Sequence, residues 1–338
     1  MIYHENGILG SMSSMGLGCW NFGAQWANKV SESDAIAIIR YAIDNGVNFV
    51  DVAESYGFPD GQCEMILGKA LKNGYREKVK IIDKIGWYGR RTEDLFYAKD
   101  SKWDLLAKKI FNKVYRKLYH YKEIDFQKRT PELLRLCGHA CCGRLGVDSI
   151  DLLLCHDGAV KDIEAFLLAF RILKEEGFIK YYGISTDDFR VLEKFYNISE
   201  GECAACEFDH SLLNRRPEKD IIPFCAEHNI TMLARGGLGS GILSGKYDLS
   251  TCFVESSRLA WNVGGKKRAE YEQKIKLCNR ITEIAGGGPK VAYPFIFSNK
   301  YHPSVVMGAT SMQQIKENIQ IGSSYLDDDV YSKLAELL

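Results

Sequence analysis

Short apolar runs alternate with longer segments of helical periodicity along most of the chain. The clearest strand candidates are the runs at residues 47–50, 79–82, 150–155, 180–184, 230–233 and 304–307. Two further strands are predicted near residues 15–19 and 203–208. This alternation is typical of parallel βαβ units, and eight is the number of strands that closes a parallel barrel.

Helix signals occupy the segments between these runs. After the predicted strand at 15–19, apolar side chains recur at helical spacing at Ala35, Ile36, Ile38, Ile39 and Ala42. Ser31 or Ser33 can cap this helix, and Gly46 follows its end. The same pattern recurs at residues 163–176 and 311–319. Each segment therefore predicts a helix packed against the sheet.

No linker rich in Pro, Gly or Ser divides the chain, so we expect a single domain over residues 1–338. A doubly wound open sheet would need the fingerprint G-x-G-x-x-G after its first strand, and the stretch at 16–20, GLGCW, does not supply it. We therefore expect an α/β fold, a parallel (β/α)8 TIM barrel.

One stretch, at about residues 88–130, is too long for an ordinary connection and predicts an insertion on the loop after strand 3. Loops at the carboxyl ends of barrel strands carry substrate contacts, so the insertion is a candidate lid. A surface helix or a partner-binding patch is the alternative interpretation.

The charge balance excludes some classes of partner. Lys and Arg number 44 and Asp and Glu number 44, so there is no net field to attract nucleic acid or anionic membranes. The first residues lack a signal-peptide pattern, and no segment approaches the roughly 20 apolar residues that a bilayer requires. We expect a cytoplasmic protein that acts on a small molecule. The oligomeric state stays open, a homo-oligomer included.

The 11 cysteines form an odd set in a chain without a secretory signal, which argues against a disulfide framework. Cys203 and Cys206 make a C-x-x-C, but they lie in a predicted strand, whereas redox motifs open a helix. Neither they nor Cys63 have a second pair or a His set at ligand spacing. We expect buried, reduced thiols and no metal site.

Four polar residues follow the predicted strands, where a parallel barrel gathers its catalytic side chains: Asp51, Tyr56, Lys84 and His156. A phenol with a pKa near ~10 is a poor acid at neutral pH. A nearby ammonium stabilises the phenolate, an aspartate keeps that ammonium charged, and a histidine can orient a carbonyl. Together the four residues predict proton transfer to or from a carbonyl oxygen.

The segment at 48–57, NFVDVAESYG, closely resembles the aldo-keto reductase signature N-F-x-D-T-A-x-x-Y-G. The segment at 63–71, CEMILGKAL, is similar to the family's S-E-x-x-L-G-K-A-L, and the segment at 151–156, DLLLCH, is similar to its D-L-x-x-x-H. The resemblance implies an oxidoreductase that transfers a hydride between a nicotinamide dinucleotide and a carbonyl or alcohol. It assigns Tyr56 as general acid or base, Lys84 as its tuning group, Asp51 as support for Lys84, and His156 as the residue that positions the carbonyl.

A glycine-rich loop follows the seventh predicted strand, where backbone N–H groups can approach a pyrophosphate closely. Its sequence is similar to the family's S-P-L-x-x-G-L-L-T-G-K-Y, and the sequence after the eighth strand is similar to G-A-x-x-x-x-Q-x-x-E-N, which holds the adenosine half. The resemblance implies cofactor contacts from Gly18, Trp20, Arg235, Gly236, Gly237, Leu238, Gly239, Ser240, Lys246, Arg258, Gly308, Thr310, Gln314, Glu317 and Asn318.

The predicted nicotinamide pocket departs from the family pattern. Glu207 stands where a glutamine usually bonds the carboxamide, and an ionised carboxylate accepts a hydrogen bond but cannot donate one. Ser185 and Thr186 stand where Ser-Asn is usual. Arg235 replaces an aromatic ring, although a guanidinium plane can also stack. We expect these residues to contact the nicotinamide in an altered pocket.

For the cofactor we favour NADP(H) over NAD(H). Family members selective for the 2′-phosphate often have Lys or Arg where Thr310 stands, but its hydroxyl can bond a phosphate and Lys246 or Arg258 can add charge. For the substrate we expect an aldehyde, ketone or sugar, because aromatic walls with a few polar groups suit such carbonyls. The predicted walls are Trp20, Trp87 and Tyr88.

Two alternatives stay open at this stage. The barrel could be a non-enzymatic NADP(H)-binding redox sensor or a regulatory subunit of a partner protein, as resemblance to channel-associated family members suggests. A metal-dependent hydrolase built on Asp51, Glu54 and His156 would need a ligand cluster, and no His-x-His pair follows a strand.

Overall fold

The computed structural model of the chain describes residues 1–23, 30–86, 129–254 and 258–337. Eight parallel strands close into a barrel in the order β10-β3-β4-β5-β6-β7-β8-β9. The strands are β3 Met15–Gly18, β4 Phe49–Asp51, β5 Lys80–Ile85, β6 Ile150–Cys155, β7 Ile179–Ser185, β8 Ala205–Asp209, β9 Thr231–Arg235 and β10 Ser304–Gly308. The predicted parallel (β/α)8 barrel is therefore confirmed.

Alternating side chains of the strands fill two different layers of the core. Phe49, Ile82 and Leu152 point into the barrel, where they pack against one another. Their neighbours Val50 and Ile81 belong to a second cluster between the strands and the surrounding helices. Because both faces of a parallel barrel strand are covered, these strands read as continuous apolar runs.

Ten α-helices are present in the described ranges. They are α1 Glu32–Asp44, α2 Gln62–Ala70, α3 Pro131–Leu145, α4 Ile163–Glu175, α5 Phe189–Ile198, α6 Ile221–Glu227, α7 Arg268–Ala285, α8 Pro289–Phe297, α9 Met312–Ile321 and α10 Asp328–Glu336. Ser31 caps α1 by accepting a hydrogen bond from the Asp34 N–H at 3.1 Å. None of these helices has the length and apolarity needed to span a bilayer.

A short antiparallel hairpin, absent from the sequence-based prediction, closes the amino-terminal end of the barrel. It consists of β1 Tyr3–Glu5 and β2 Ser11–Ser13. The Asn6 side chain donates to the Met232 carbonyl at 2.9 Å and to Ser304 Oγ at 3.0 Å, while its own oxygen accepts from the Met232 N–H at 2.8 Å. The buried Met12 packs into the barrel interior above this network. We call this closed end the floor and the opposite end the mouth.

The predicted insertion at 88–130 lies almost entirely outside the described residues, as do Trp87 and Tyr88. Of the insertion, only Arg129 and Thr130 are described, and Thr130 caps α3 through a 3.3 Å hydrogen bond from the Leu133 N–H. All 11 cysteines are described; each is a free thiol, and only Cys252 is exposed. The C-x-x-C of Cys203 and Cys206 is buried, and burial raises the pKa of both thiols well above the usual value.

Candidate active site

The four predicted catalytic residues meet at the mouth. Asp51 ends β4, Lys84 lies near the end of β5, and Tyr56 and His156 follow β4 and β6. The Lys84 ammonium contacts the Asp51 carboxylate, donates to the Val52 carbonyl at 3.2 Å and donates to Tyr56 Oη at 3.4 Å. The ring of His156 stands edge-on to the ring of Tyr56, with 5.9 Å between centroids.

Backbone hydrogen bonds between neighbouring strands fix the turn that carries Tyr56. The Glu54 N–H donates to the Lys84 carbonyl at 3.1 Å, and Glu54 Oε1 accepts from the Gly86 N–H at 2.6 Å. Gly57 then turns the chain with φ 103°, where a Cβ would come within 2.6 Å of the Gln62 side chain. Glu54 is thus a supporting residue of the site. Sequence analysis considered it only as a metal ligand in the hydrolase alternative, and the signal for its supporting role is its place inside the signature.

Burial dominates the electrostatics of this group. It raises the pKa of Tyr56 well above its ordinary value; the Lys84 ammonium opposes that rise, and the carboxylates of Asp51 and Glu207 add to it. Burial alone would lower the pKa of Lys84, but Asp51 and Glu207 outweigh it and keep the pKa well above its usual value. Lys84 is therefore charged at every physiological pH.

Glu207 contacts the catalytic group directly. It lies in β8, fully buried, with its Oε2 3.3 Å from the Lys84 ammonium nitrogen. Ser185 Oγ donates to Glu207 Oε1 at 3.5 Å, and Arg235 Nε lies 3.8 Å from the same oxygen. One buried ammonium thus has two carboxylate neighbours.

Arg235 lies among acidic side chains at the ends of β7, β8 and β9. Its guanidinium pairs with Asp187 at 2.6 Å and lies 3.9 Å from Asp209, whose N–H donates to Asp187 Oδ1 at 2.7 Å. A Cβ at Gly236, whose φ is 73°, would lie 1.9 Å from the Asp209 carboxylate. Sequence reasoning missed Asp187 and Asp209; their signal was their place just after, or at the end of, a strand.

The glycine-rich loop after β9 bends repeatedly at the mouth. Gly236, Gly239, Ser240 and Gly241 have positive φ values of 73°, 54°, 58° and 93°. Such backbone favours glycine. The N–H groups of Gly239 and Gly241 donate to the carbonyls of Gly236 and Leu238, at 2.7 and 2.9 Å, which keeps the loop tightly turned. Arg258 spans this loop, because its guanidinium donates to the Ser240 carbonyl and to Tyr247 Oη, both at 3.0 Å. Gly237, Leu238 and the exposed Lys246 belong to the same segment.

The predicted adenosine element follows β10 and opens α9. Thr310 donates from its N–H and from its hydroxyl to Gln314 Oε1, at 2.8 and 3.0 Å. Asn318 Nδ2 donates to the Gly308 carbonyl at 3.2 Å, and Glu317 accepts from Gln313 at 2.7 Å. The side chains of Gln314 and Glu317 therefore have intramolecular partners in this structure.

Gly18 and Trp20 lie beside this element at the end of β3. Gly18 pairs with Gly308 on one side and with Asp51 on the other. Trp20 follows in a single 3₁₀ turn with 43% of its surface exposed. Arg129, where the described chain resumes, contacts the carboxylate of Asp157 just after β6.

Two other charged features lie outside the group formed by Asp51, Tyr56, Lys84 and His156. A groove of about 720 Å³ at the floor has a lining that includes Lys72, Arg76 and Asp151 and none of the four catalytic candidates. Behind β5, the ligand atoms of Glu64, Asp83 and Cys141 lie within 4.8 Å of one another. Arg144 already donates to both Glu64 oxygens, at 2.6 and 3.1 Å, so a cation there would have to compete with a guanidinium.

Comparison with known proteins gives consistent matches along the chain. The model of the Aldo/keto reductase family matches residues 14–338. The chain is similar to the NADH-specific methylglyoxal reductase of Escherichia coli (strain K12). The two are 28% identical over an alignment of 344 residues, gaps included, which covers 97% of this chain and 96% of that protein.

Two solved structures share the fold. The aldo-keto reductase AKR11C1 from Bacillus halodurans, in its holo form, matches with a TM-score of 0.72 and 23% identity, over 100% of this chain and 96% of that chain. An aldo/keto reductase from Klebsiella pneumoniae, in complex with NADP and acetate, matches with a TM-score of 0.66 and 20% identity, over 99% and 94% of the two chains.

Proposed function

Since the chain belongs to the aldo/keto reductase family, we propose that it is an NAD(P)H-dependent oxidoreductase that reduces a carbonyl or oxidises the matching alcohol. In this proposal Tyr56 is the general acid and base. The observation that carries the proposal is the buried contact of the Lys84 ammonium with Tyr56 Oη at 3.4 Å, completed by Asp51.

In the proposed reduction, Tyr56 donates its hydroxyl proton to the carbonyl oxygen and Lys84 stabilises the phenolate that remains. Asp51 keeps the Lys84 side chain in place and charged. His156, edge-on to Tyr56, orients the carbonyl oxygen toward the phenol. A nicotinamide, when bound, supplies the hydride. Oxidation runs the same proton transfer in reverse, with the phenolate as base.

The residues around the mouth fit a dinucleotide. The bends at Gly236, Gly239 and Gly241 make a loop that can approach a pyrophosphate, and Gly308 and Thr310 lead into the amino terminus of α9. Ser185, Thr186, Glu207 and Arg235 would face the nicotinamide, and Arg258 and Lys246 bring positive charge to the loop. On that charge we propose NADP(H) over NAD(H); a relative is an NADH-specific reductase, and a structural neighbour holds NADP.

We propose a small aldehyde, ketone or sugar as the substrate, in the cytoplasm. The exposed indole of Trp20 would form an apolar wall at the mouth, where Tyr56 lies, and Trp87 and Tyr88 would extend this wall. The relative that reduces methylglyoxal acts, by its name, on a small carbonyl. The chain has no net charge to attract nucleic acid or membrane surfaces. We keep the proposal of one domain with an insertion at about 88–130.

The test is turnover with and without the phenol. Wild type and Tyr56→Phe are mixed with NADPH or NADH and a panel of aldehydes, and the loss of cofactor absorbance is followed. We expect the rate to fall by about 10²- to 10⁴-fold in Tyr56→Phe, the usual contribution of a general acid. Cofactor binding, measured by fluorescence, should stay within twofold. Tight binding without turnover in wild type would contradict catalysis and support the redox-sensor alternative.

A further inference from the structure

Glu207 occupies an inward-facing position of β8. Its neighbour Cys206 packs in the layer between barrel and helices, whereas Ala205, two residues before Glu207, packs inside the barrel. Alternation along a strand therefore points Glu207 inward. In the ring, Glu207 pairs with Ser185 on one side and with Leu233 on the other. Its carboxylate reaches the ammonium of Lys84, which comes from the opposite part of the barrel.

Two carboxyl groups and one ammonium are buried beside Tyr56. Burial and the Glu207 carboxylate raise the pKa of Asp51 well above its usual value. Lys84 is fully buried and has two carboxylate neighbours, one in contact and one at 3.3 Å. A further cation, Arg235, lies 3.8 Å from Glu207 and pairs with Asp187 at 2.6 Å. The titratable groups that face the pair are Asp51 from β4, Glu207 from β8, Arg235 from β9, Cys19 after β3 and His156 after β6.

We propose that Glu207 is a positioning residue that holds the Lys84 ammonium jointly with Asp51 and, as a second carboxylate, biases Tyr56 toward donating its proton to a carbonyl rather than taking one from an alcohol. The proposal rests on the function proposed above. It assigns Glu207 a role toward Lys84 and Tyr56 that is separate from any contact with the nicotinamide.

The bias follows from the sign of the charge. A carboxylate near a buried phenol destabilises the phenolate, which is the form that oxidation of an alcohol requires. Burial raises the pKa of Tyr56, Lys84 lowers it, and Asp51 and Glu207 raise it again. A glutamine at 207 would keep the length and an acceptor oxygen while removing the charge. Asp51 would still hold Lys84 in its charged form.

The first measurement is the pH profile of turnover in both directions for wild type and Glu207→Gln. We expect the rising limb of alcohol oxidation, which reports formation of the phenolate, to move to lower pH by about one unit. The falling limb of carbonyl reduction should move with it. A residue that only supports the fold would lower the rate or the melting temperature and leave both limbs where they are.

The second measurement does not need turnover. Tyrosines labelled with ¹³C at Cζ are titrated by NMR in the cofactor-free protein, and the Tyr56 signal is assigned by its absence in Tyr56→Phe. In Glu207→Gln the Tyr56 signal should titrate at lower pH than in wild type, again by about one unit. Equal midpoints would overturn the inference. Because this readout involves no substrate, its result is distinct from a failure to find any reductase activity.

Two variants complete the design. Asp151→Asn removes a carboxylate that also pairs with basic side chains, but at the floor, and it should leave the Tyr56 midpoint unchanged. Glu207→Met, which removes the charge and keeps the side chain's length, replaces Glu207→Gln if the glutamine variant does not fold, with the same shift expected. A downward shift in the Asp151→Asn control as large as that at 207 would also overturn the proposal.

Discussion

The mouth and the floor of the barrel carry ion clusters of opposite composition. At the mouth, one ammonium, Lys84, lies between the carboxylates of Asp51 and Glu207. At the floor, one carboxylate, Asp151, lies between Arg76 at 2.9 Å and Lys180 at 2.6 Å. Asp151, in β6, also accepts a hydrogen bond from the Ile81 N–H of β5 at 2.8 Å. The bonds of the floor cluster therefore connect structural elements of the barrel.

The two clusters differ most in their access to water. Lys84 is 0% exposed, whereas the side chain of Lys180 is 55% exposed. Coulomb interactions are weak where water screens them and strong where it is excluded. The carboxylates of the mouth therefore act on the neighbouring phenol, whereas solvent screens the charges of the floor. Burial, more than the number of ion pairs, therefore separates a reactive cluster from a structural one.

The largest expected effect breaks the mouth cluster. Lys84→Met should lower turnover by about 10²- to 10⁴-fold, because the Tyr56 phenolate loses its cation. It should also lower the free energy of unfolding by about 3 to 5 kcal/mol, since Asp51 and Glu207 are left buried without their partner. Urea unfolding and steady-state kinetics measure both. Adding Asp51→Asn should recover part of the stability and none of the turnover; recovered turnover would contradict the role given to Lys84.

The next effect tests a balanced cluster near the mouth. Glu218 accepts hydrogen bonds from Arg215 at 2.6 Å and contacts buried His210 at 3.0 Å. Burial opposes its ionisation, but these two partners outweigh burial and lower the pKa of Glu218 to about 2, from 4.5. Because the pKa of Glu218 is lower in the folded than in the unfolded protein, its ionised carboxylate stabilises the fold at pH values above 4.5, the pKa of the unfolded protein. That stability is lost as the pH falls toward about 2.

Glu218→Gln should therefore lower the free energy of unfolding by roughly 2 to 3 kcal/mol at pH 7. The difference from wild type should shrink between pH 4.5 and about 2. Denaturant unfolding at several pH values measures it, and turnover per folded molecule should stay within twofold. A difference that persists undiminished at pH 2 would show that the carboxylate's charge is not its cause.

A smaller effect is expected at the floor. Asp151→Asn should lower the free energy of unfolding by about 1 to 2 kcal/mol. The amide oxygen of the asparagine can still accept from Arg76 and from the Ile81 N–H, so only the negative charge is lost. Chemical unfolding and the ratio kcat/KM are the measurements. Turnover should be unchanged; a fall in kcat/KM above about threefold would mean that the two ends of the barrel are coupled.

The smallest effect concerns the exposed partner of the same cluster. Lys180→Met should change the free energy of unfolding by less than about 1 kcal/mol, the usual range for an exposed ion pair. Raising the salt concentration should reduce the difference further. A loss as large as that of Asp151→Asn would show that exposure does not decide the strength of these pairs.

The sequence predicted the barrel and the four catalytic candidates because the signals for both lie in short stretches of the chain. Each strand is a short apolar run, and a polar residue follows it at a place that the fold always brings to the mouth. The signature around Asp51 and Tyr56 then supplied the chemistry. Strand ends differed from the structure by up to three residues, as at β5, where the predicted end at residue 82 precedes Ile85.

The contacts that the sequence did not predict depend on closure of the ring. The Glu207–Lys84 contact joins strands that are not neighbours, so only the shear of the closed barrel decides which inward side chains meet. The hairpin at the floor was missed because its two strands have three residues each and little apolar alternation. Its stability comes from Asn6, whose partners Met232 and Ser304 are distant in the chain.

That hairpin has a consequence for how the protein is made. Asn6 and Ser304 are separated by 298 residues, which a ribosome adding about 5–20 residues per second needs on the order of 15 to 60 s to synthesise. During this interval Asn6 lacks Met232 and Ser304, the partners that hold it in the folded barrel, although β1 and β2 can already pair. The floor of the barrel is thus assembled from segments that leave the ribosome far apart in time.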